Sequence, residues 1–281
     1  MIQFMRIIHI FLFLLLLSNE VLFAYDATKI KEKLTPGKGE YFSSTVIEII
    51  DGDTVLLANN MEVRLVGLQA PKIALGRKDF KEWPLGYEAK DVLSKLIIGK
   101  EVTLFYGGRE LDRYGRTLAH LFTNDNIWVQ GEMLKNGMAR VYSFADNRSI
   151  VEEMLEEEYQ ARLQNRGIWG LEFYKIKPQE ESGKYTNSFQ VISGRIRDVA
   201  EVRNNTYLNF GDDYRNDFTI VIPNRVKKMF QERDINLTNL KDKNIFVRGW
   251  LKIIMGRQSI YHTLNNWLFS EGALKCYLKN K

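Results

Sequence analysis

Three short stretches hold the side chains best suited to chemistry in this chain: Asp51-Gly52-Asp53-Thr54, Arg64 in the run VRLVGLQAPK, and Asp112-Arg-Tyr-Gly-Arg116. Carboxylates bind hard cations and hydrogen-bond donors, and a guanidinium presents a planar fork that matches two oxygens of a phosphate. A set of acids and two arginines is the equipment for handling phosphoesters, whose cleavage needs charge stabilisation at the phosphorus oxygens and an oriented water. Each piece also has a plain reading. DGDT is common turn chemistry, Arg64 could be an ordinary ion-paired strand arginine, and DRYGR could be a hairpin with Gly115 at positive φ. The ordered set is harder to obtain by chance than any member alone.

In order and spacing these motifs resemble the staphylococcal nuclease family. The resemblance implies that Asp53 is the calcium-binding aspartate, Arg64 and Arg116 the two catalytic arginines and Tyr114 a phosphate contact. The loop after the Arg64 strand usually reads as a variant of IDAPE or VDTPE in that family, with a second calcium carboxylate and a glutamate that activates water. Here it reads LQAPK, so Gln69 and Lys72 stand at the two acidic positions. Gln69 keeps an oxygen but loses a charge, which lowers the affinity expected for calcium. A lysine is protonated at neutral pH and is no general base, and such a base contributes about 10²- to 10⁴-fold to rate. Lys72 is read instead as a fixed cation that grips phosphate. The resemblance puts a weakened metal position at Asp53, Gln69 and the Ala70 carbonyl. Calcium is the expected cofactor if the site is active, and none if it is silent. Glu62, Asp79, Glu82 and Glu88 are candidates for a replacement acid by proximity in sequence.

Those residues need a frame. Alternation in TVIEII and VLLA predicts two strands around the Asp51-Gly52 turn, with Glu62–Leu68 as a third. Pro84–Ile98, ended by Gly99, has Tyr87, Val92, Leu93, Leu96 and Ile97 at helical spacing. Glu101–Tyr106 and Thr117–Phe122 read as strands, Val129–Asn136 as a helix and Met138–Tyr142 as a strand. A last helix carries Val151, Met154, Leu155, Tyr159 and Leu163 on one face, with Glu152, Glu153, Glu156, Glu157 and Glu158 expected on its solvated side. The close Asn165–Gly170, NRGIWG, also resembles the family. The fold class the resemblance implies is α+β, a five-stranded barrel of the oligonucleotide/oligosaccharide-binding type with about three helices, and the strand and helix order agrees with it.

The domain plan is a signal peptide at 1–24, a linker at 25–41, the nuclease-like domain at 42–170, a linker at 171–186 and a smaller, mostly β, OB-like domain at 187–281. The first segment has Arg6, the apolar run Ile7–Leu17, a polar break at Ser18–Glu20 and the small Ala24. It predicts export to the periplasm or medium with cleavage after Ala24, or an uncleaved anchor as the competing reading. The single Cys276 excludes an internal disulfide framework, and His9, His120 and His262 have no metal-ligand spacing.

Net charge is +5, distributed unevenly. Residues 25–175 carry 21 basic and 23 acidic side chains, net −2, and residues 176–281 carry 18 and 11, net +7. Arg195, Arg197, Arg203, Arg215, Arg225, Lys227, Lys228, Arg248 and Arg257, interleaved with Tyr207, Phe210, Tyr214 and Trp250, predict either a groove for single strands or a basic face over an aromatic core. Core is favoured for Phe210 and Trp250. The expected partner is nucleic acid, DNA or RNA and single-stranded by preference. The alternatives are a catalytically silent binder of nucleic acid or another anionic polymer, and an envelope protein-interaction module.

Overall fold

The computed structural model describes residues 25–39, 42–144, 146–213, 217–232, 234–254 and 259–262. The expected signal peptide, His9, Tyr41, Tyr214, Arg215, Arg257 and Cys276 lie outside the described residues.

The chain begins with a helix α1 (Ala27–Glu32) and the strands β1 (Thr35–Pro36), β2 (Ser43–Asp51), β3 (Thr54–Leu57), β4 (Glu62–Leu65) and β5 (Leu68–Gln69). Helix α2 (Gly86–Ile97), strands β6 (Glu101–Tyr106) and β7 (Thr117–Thr123), helix α3 (Val129–Lys135), strand β8 (Arg140–Val141) and helix α4 (Val151–Leu163) complete this unit. Strands pair in the order β6-β2-β3-β4-β7, and β7 returns to β6, so five strands close a barrel. Its one parallel pairing is β4 with β7. Closure removes the unpaired edges that an open sheet would expose.

Period-two alternation builds the interior, with Val102, Leu104 and Tyr106 of β6 pointing in and Glu101 out. Helix α2 covers β2 with Gly86, Ala89, Leu93 and Ile97, spaced three, four and four apart. Truncating the fully buried Leu93 to alanine would cost about 2–5 kcal/mol. Tyr87, expected on this face, is one position off the stripe and mostly exposed, its hydroxyl bonded to Glu82. Leu163, expected on the buried face of α4, is likewise exposed.

Three further expectations are corrected. Residues 25–41 are not a plain linker: Asp26 caps α1, Ile30 is in the barrel core, and the Tyr25 hydroxyl accepts from Trp128 N–H and donates to Glu132. The lysines of this segment mask one inward stripe, Ile30 and Leu34. Residues 171–186 are structured too. They form 3₁₀ turns at Glu172–Tyr174 and Gln179–Tyr185 and a strand β9 (Lys177–Pro178), with Tyr174 buried and bonded to the Pro84 carbonyl. Glu157 and Glu158 are buried: Glu157 lies near Glu132 and Lys135 of α3, and Glu158 is covered by Arg248 of the C-terminal unit.

That unit consists of β9, β10 (Phe189–Arg195), β11 (Asp198–Val202), β12 (Asn205–Asn209), β13 (Phe218–Pro223), helix α5 (Asn224–Gln231), β14 (Asn244–Ile254) and β15 (Ser259–His262). The sheet order is β11-β12-β13-β15-β14-β10-β9, over a core including Ile192, Leu208, Phe210, Ile220 and Val247. Strand β11 lacks a sequence signal because none of its residues is fully buried. Of the nine basic residues read as a groove, three are ion-paired among the described residues: Arg195 with Asp242, Lys227 with Glu201 and Arg248 with Glu158. Phe210 is core, and Trp250 donates its indole N–H to Tyr142 of the first unit.

Candidate functional site

Strands β2 and β3 are joined by the two residues Gly52 and Asp53, with Asp51 opposite Thr54. The Asp51 side chain accepts the Asp53 N–H at 3.0 Å, an Asx turn that substitutes for a backbone turn bond. Glycine is required at 52 by close approach. A Cβ there would sit 2.7 Å from the Ala70 Cβ and 2.9 Å from the Ala89 Cβ. The turn is therefore pressed onto the loop after β5 and onto α2, which drives the Asp53 carboxylate fully out of solvent.

A buried carboxylate persists only if its charge is matched. Ala70 donates its N–H to Asp53 Oδ2 at 2.8 Å. Arg64, opposite Thr54 across β3 and β4, contacts the Asp53 carboxylate directly and donates to the Asp53 and Leu68 carbonyls at 3.1 and 2.9 Å. Lys72 Nζ lies 2.7 Å from each Asp53 oxygen and 3.2 Å from Asp51 Oδ2. Two carboxylates and two cations form a closed, formally neutral cluster. Burial pushes the Asp53 carboxyl up, but the Arg64 and Lys72 charges outweigh it and hold the group well below the usual carboxylate range. Asp51 is raised, first by burial and then by the Asp53 charge.

Arg116 lies just before Thr117, the parallel partner of Val63, so it stands beside Glu62, one pleat period from Arg64. Its Nε and Nη2 donate to Asp112 Oδ2 at 2.8 and 2.7 Å, and Glu62 is 3.9 Å away. Asp112 also accepts the Tyr114 and Arg116 N–H groups, a loop fold that needs Gly115 at φ +83°. Tyr114 is exposed, with the Arg113 and Arg116 guanidinium carbons 4.7 and 5.6 Å from its ring centre.

The expected metal position is not assembled. Gln69 Oε1 accepts from Arg140 Nε and Nη2 at 3.0 and 2.8 Å instead of facing Asp53, and Ala70 offers Asp53 a donor. Glu82 is occupied by the Ala74 N–H and Tyr87 hydroxyl, Glu62 reaches toward Arg116, and Asp79 and Glu88 are exposed. Among the described residues no three His, Cys, Asp or Glu side chains cluster to hold a metal. Calcium takes six to eight oxygens, preferably several anionic ones, and with Lys72 Nζ on both Asp53 oxygens and on Asp51 this donor set does not fit it.

Sequence reasoning missed Arg140. Burial lowers its pKa to about 10, and its guanidinium carbon lies 4.7, 5.7 and 5.9 Å from the ring centres of Phe189, Trp83 and Tyr174. A charged residue inside the apolar run at Met138–Tyr142 was the one available hint.

The family model described as "Staphylococcal nuclease homologue" matches residues 62–170. An uncharacterized endonuclease of Escherichia coli is 34% identical over 127 residues, covering 44% of this chain and 74% of that protein. An uncharacterized protein of Methanocaldococcus jannaschii is 32% identical over 154 residues, 46% and 72% of the two chains. The chain belongs to the staphylococcal nuclease homologue family. The thermonuclease of Staphylococcus hyicus is 29% identical over 127 residues, 44% of this chain and 73% of that one. The family is calcium-dependent and acts on nucleic acid. The family model ends before the C-terminal unit and begins after the Asp53 turn.

Proposed function

We propose that this protein is an exported member of the family that holds single-stranded nucleic acid chiefly through the solvent-facing Tyr114 and Arg116, beside the Arg64 and Lys72 cations engaged by Asp51 and Asp53, with phosphodiester hydrolysis impaired. The observation that carries this reading is the Lys72 ammonium bonded to both oxygens of Asp53. It supplies, from within the chain, the positive charge a cation would bring, and it cannot activate water. Arg116 and Tyr114 are partly or largely open to solvent and can meet a phosphate and a base. Export rests on sequence features: Arg6, the apolar run Ile7–Leu17, the polar break at Ser18–Glu20 and the small Ala24.

The test is a labelled single-stranded oligonucleotide, scored for binding and cleavage with calcium or chelator across a salt series. Two or three neutralised phosphates give a log–log salt slope of about −1.4 to −2, with no chelator-sensitive cleavage and weaker binding in Arg116→Ala. Calcium-dependent cleavage abolished by Arg116→Ala would show an active nuclease. If Gln69→Asp with Lys72→Glu folds yet gains no activity, those two replacements are not the defect.

A further inference from the structure

We propose that the C-terminal unit is a working part of the Asp53 centre, and that Arg248 is its positioning residue for Arg64. Arg248 is buried on β14, 90 residues from Glu158 in sequence, and its Nη1 and Nη2 bond Glu158 Oε2 and Oε1 at 2.8 and 2.6 Å. The same Nη1 donates to the Val141 carbonyl at 3.0 Å, while Glu158 Oε2 accepts the Val141 N–H at 2.6 Å. One bidentate ion pair thus fixes both backbone polar groups of a single residue. Arg162 also faces Glu158, at 3.7 Å.

Val141 is the register partner of Leu68 in the ladder of β8 with β5. Leu68 gives its carbonyl to Arg64 Nη2, and Ala70, two residues on, gives its N–H to Asp53. The clamp and the Arg64 contact therefore bear on the two members of one strand pair. Each strand of this ladder is two residues long, and a two-stranded ribbon is marginal by itself, so its position depends on the packing of Leu68 and Val141 in the barrel core and on what grips its other side. The grip is reinforced by Trp250 N–H on the Tyr142 hydroxyl, by Tyr142 against Phe189 at 4.8 Å, and by Phe189 against Arg140, which holds Gln69. Every residue on the far side of these contacts belongs to the C-terminal unit, outside the stretch that matches the family model.

The effect on polymer binding rests on the function proposed above; the coupling itself does not. The test uses the full chain with Arg248→Met and Glu158→Gln together. Both members of the bidentate pair leave at once, so neither is left facing an empty partner position; Arg162 loses its 3.7 Å contact with Glu158, a cost that the Leu104 reference separates from local coupling, and glutamine still accepts the Val141 N–H. Native-state hydrogen exchange is followed at Ala70, Val141 and, as a barrel reference, Leu104, alongside affinity for a single-stranded oligonucleotide. The expected result is at least tenfold faster exchange at Ala70 and Val141 with Leu104 unchanged, and at least threefold weaker binding. Unchanged protection at Ala70, or a rise shared equally by Leu104, would overturn the proposal, the second marking plain destabilisation. If the parent protein binds no oligonucleotide, the function reading fails and exchange still decides the coupling. Should the double variant not fold, Arg248→Lys, which keeps the charge but loses the fork, is read by the same criteria.

Discussion

Lys72→Met removes one of the two cations that neutralise Asp51 and Asp53 while keeping the length of the side chain. At 2.7 Å from each Asp53 oxygen, the gross attraction at an effective dielectric of 20 is about 6 kcal/mol. Desolvation of the ammonium offsets part of this, and Arg64 remains on Asp53. Breaking one arm of a buried pair costs about 3–5 kcal/mol, so with Arg64 still in place a loss of about 3 kcal/mol is expected. The variant site carries net charge −1, and its carboxylates then have room for a hard cation. With a calcium dissociation constant on the order of 1 mM, 10 mM calcium restores about 1.4 kcal/mol, or about 3–5 °C in melting temperature. Thermal melts of parent and variant, with calcium and with chelator, read this directly. If the parent is stabilised by calcium as much as the variant, Lys72 does not stand in for a cation. If the variant is as stable as the parent, the pair does not carry the charge balance described.

Burial, against the lowering effect of Lys135 and with the added repulsion of Glu132 and Glu156, pushes the Glu157 carboxyl up to about 7. The folded state then binds its proton more tightly than the unfolded chain, so stability falls as pH rises from about 4.5 to about 7. Glu157→Gln should flatten that slope and add about 1 kcal/mol at pH 8 after allowance for solvent screening; urea melts at pH 5 and pH 8 check it, and an unchanged slope would count against it. Gln69→Glu places a carboxylate of the same shape on Arg140 and should stabilise the fold by about 1 kcal/mol without conferring calcium binding, measured by denaturation and calorimetry. Gly52→Ala forces a Cβ against Ala70 and Ala89 and should cost about 1–3 kcal/mol; a neutral result would mean that the turn can move away from the loop.

The barrel's elements were legible where one period shows: alternation in β6 and an apolar stripe in α2. The 25–41 segment was not, since its lysines outnumber the inward Ile30 and Leu34. Nor was β11, which buries no residue fully and sets only Val199 partly against the core. Asp53, Arg64, Gln69, Lys72, Tyr114 and Arg116 could be picked from residue type and order. Sequence by itself carried the motif resemblance that implied the family and the barrel, and it put Gln69 and Lys72 where that resemblance expects acids, because these depend on motif order and on which functional groups are present. Only tertiary structure decided where the remaining charges go. Lys72 closes on Asp53, Gln69 turns to Arg140, and Arg248 reaches Glu158 from a different unit. A buried charge takes whichever partner the packing brings within bonding distance, and no spacing along the chain encodes that distance.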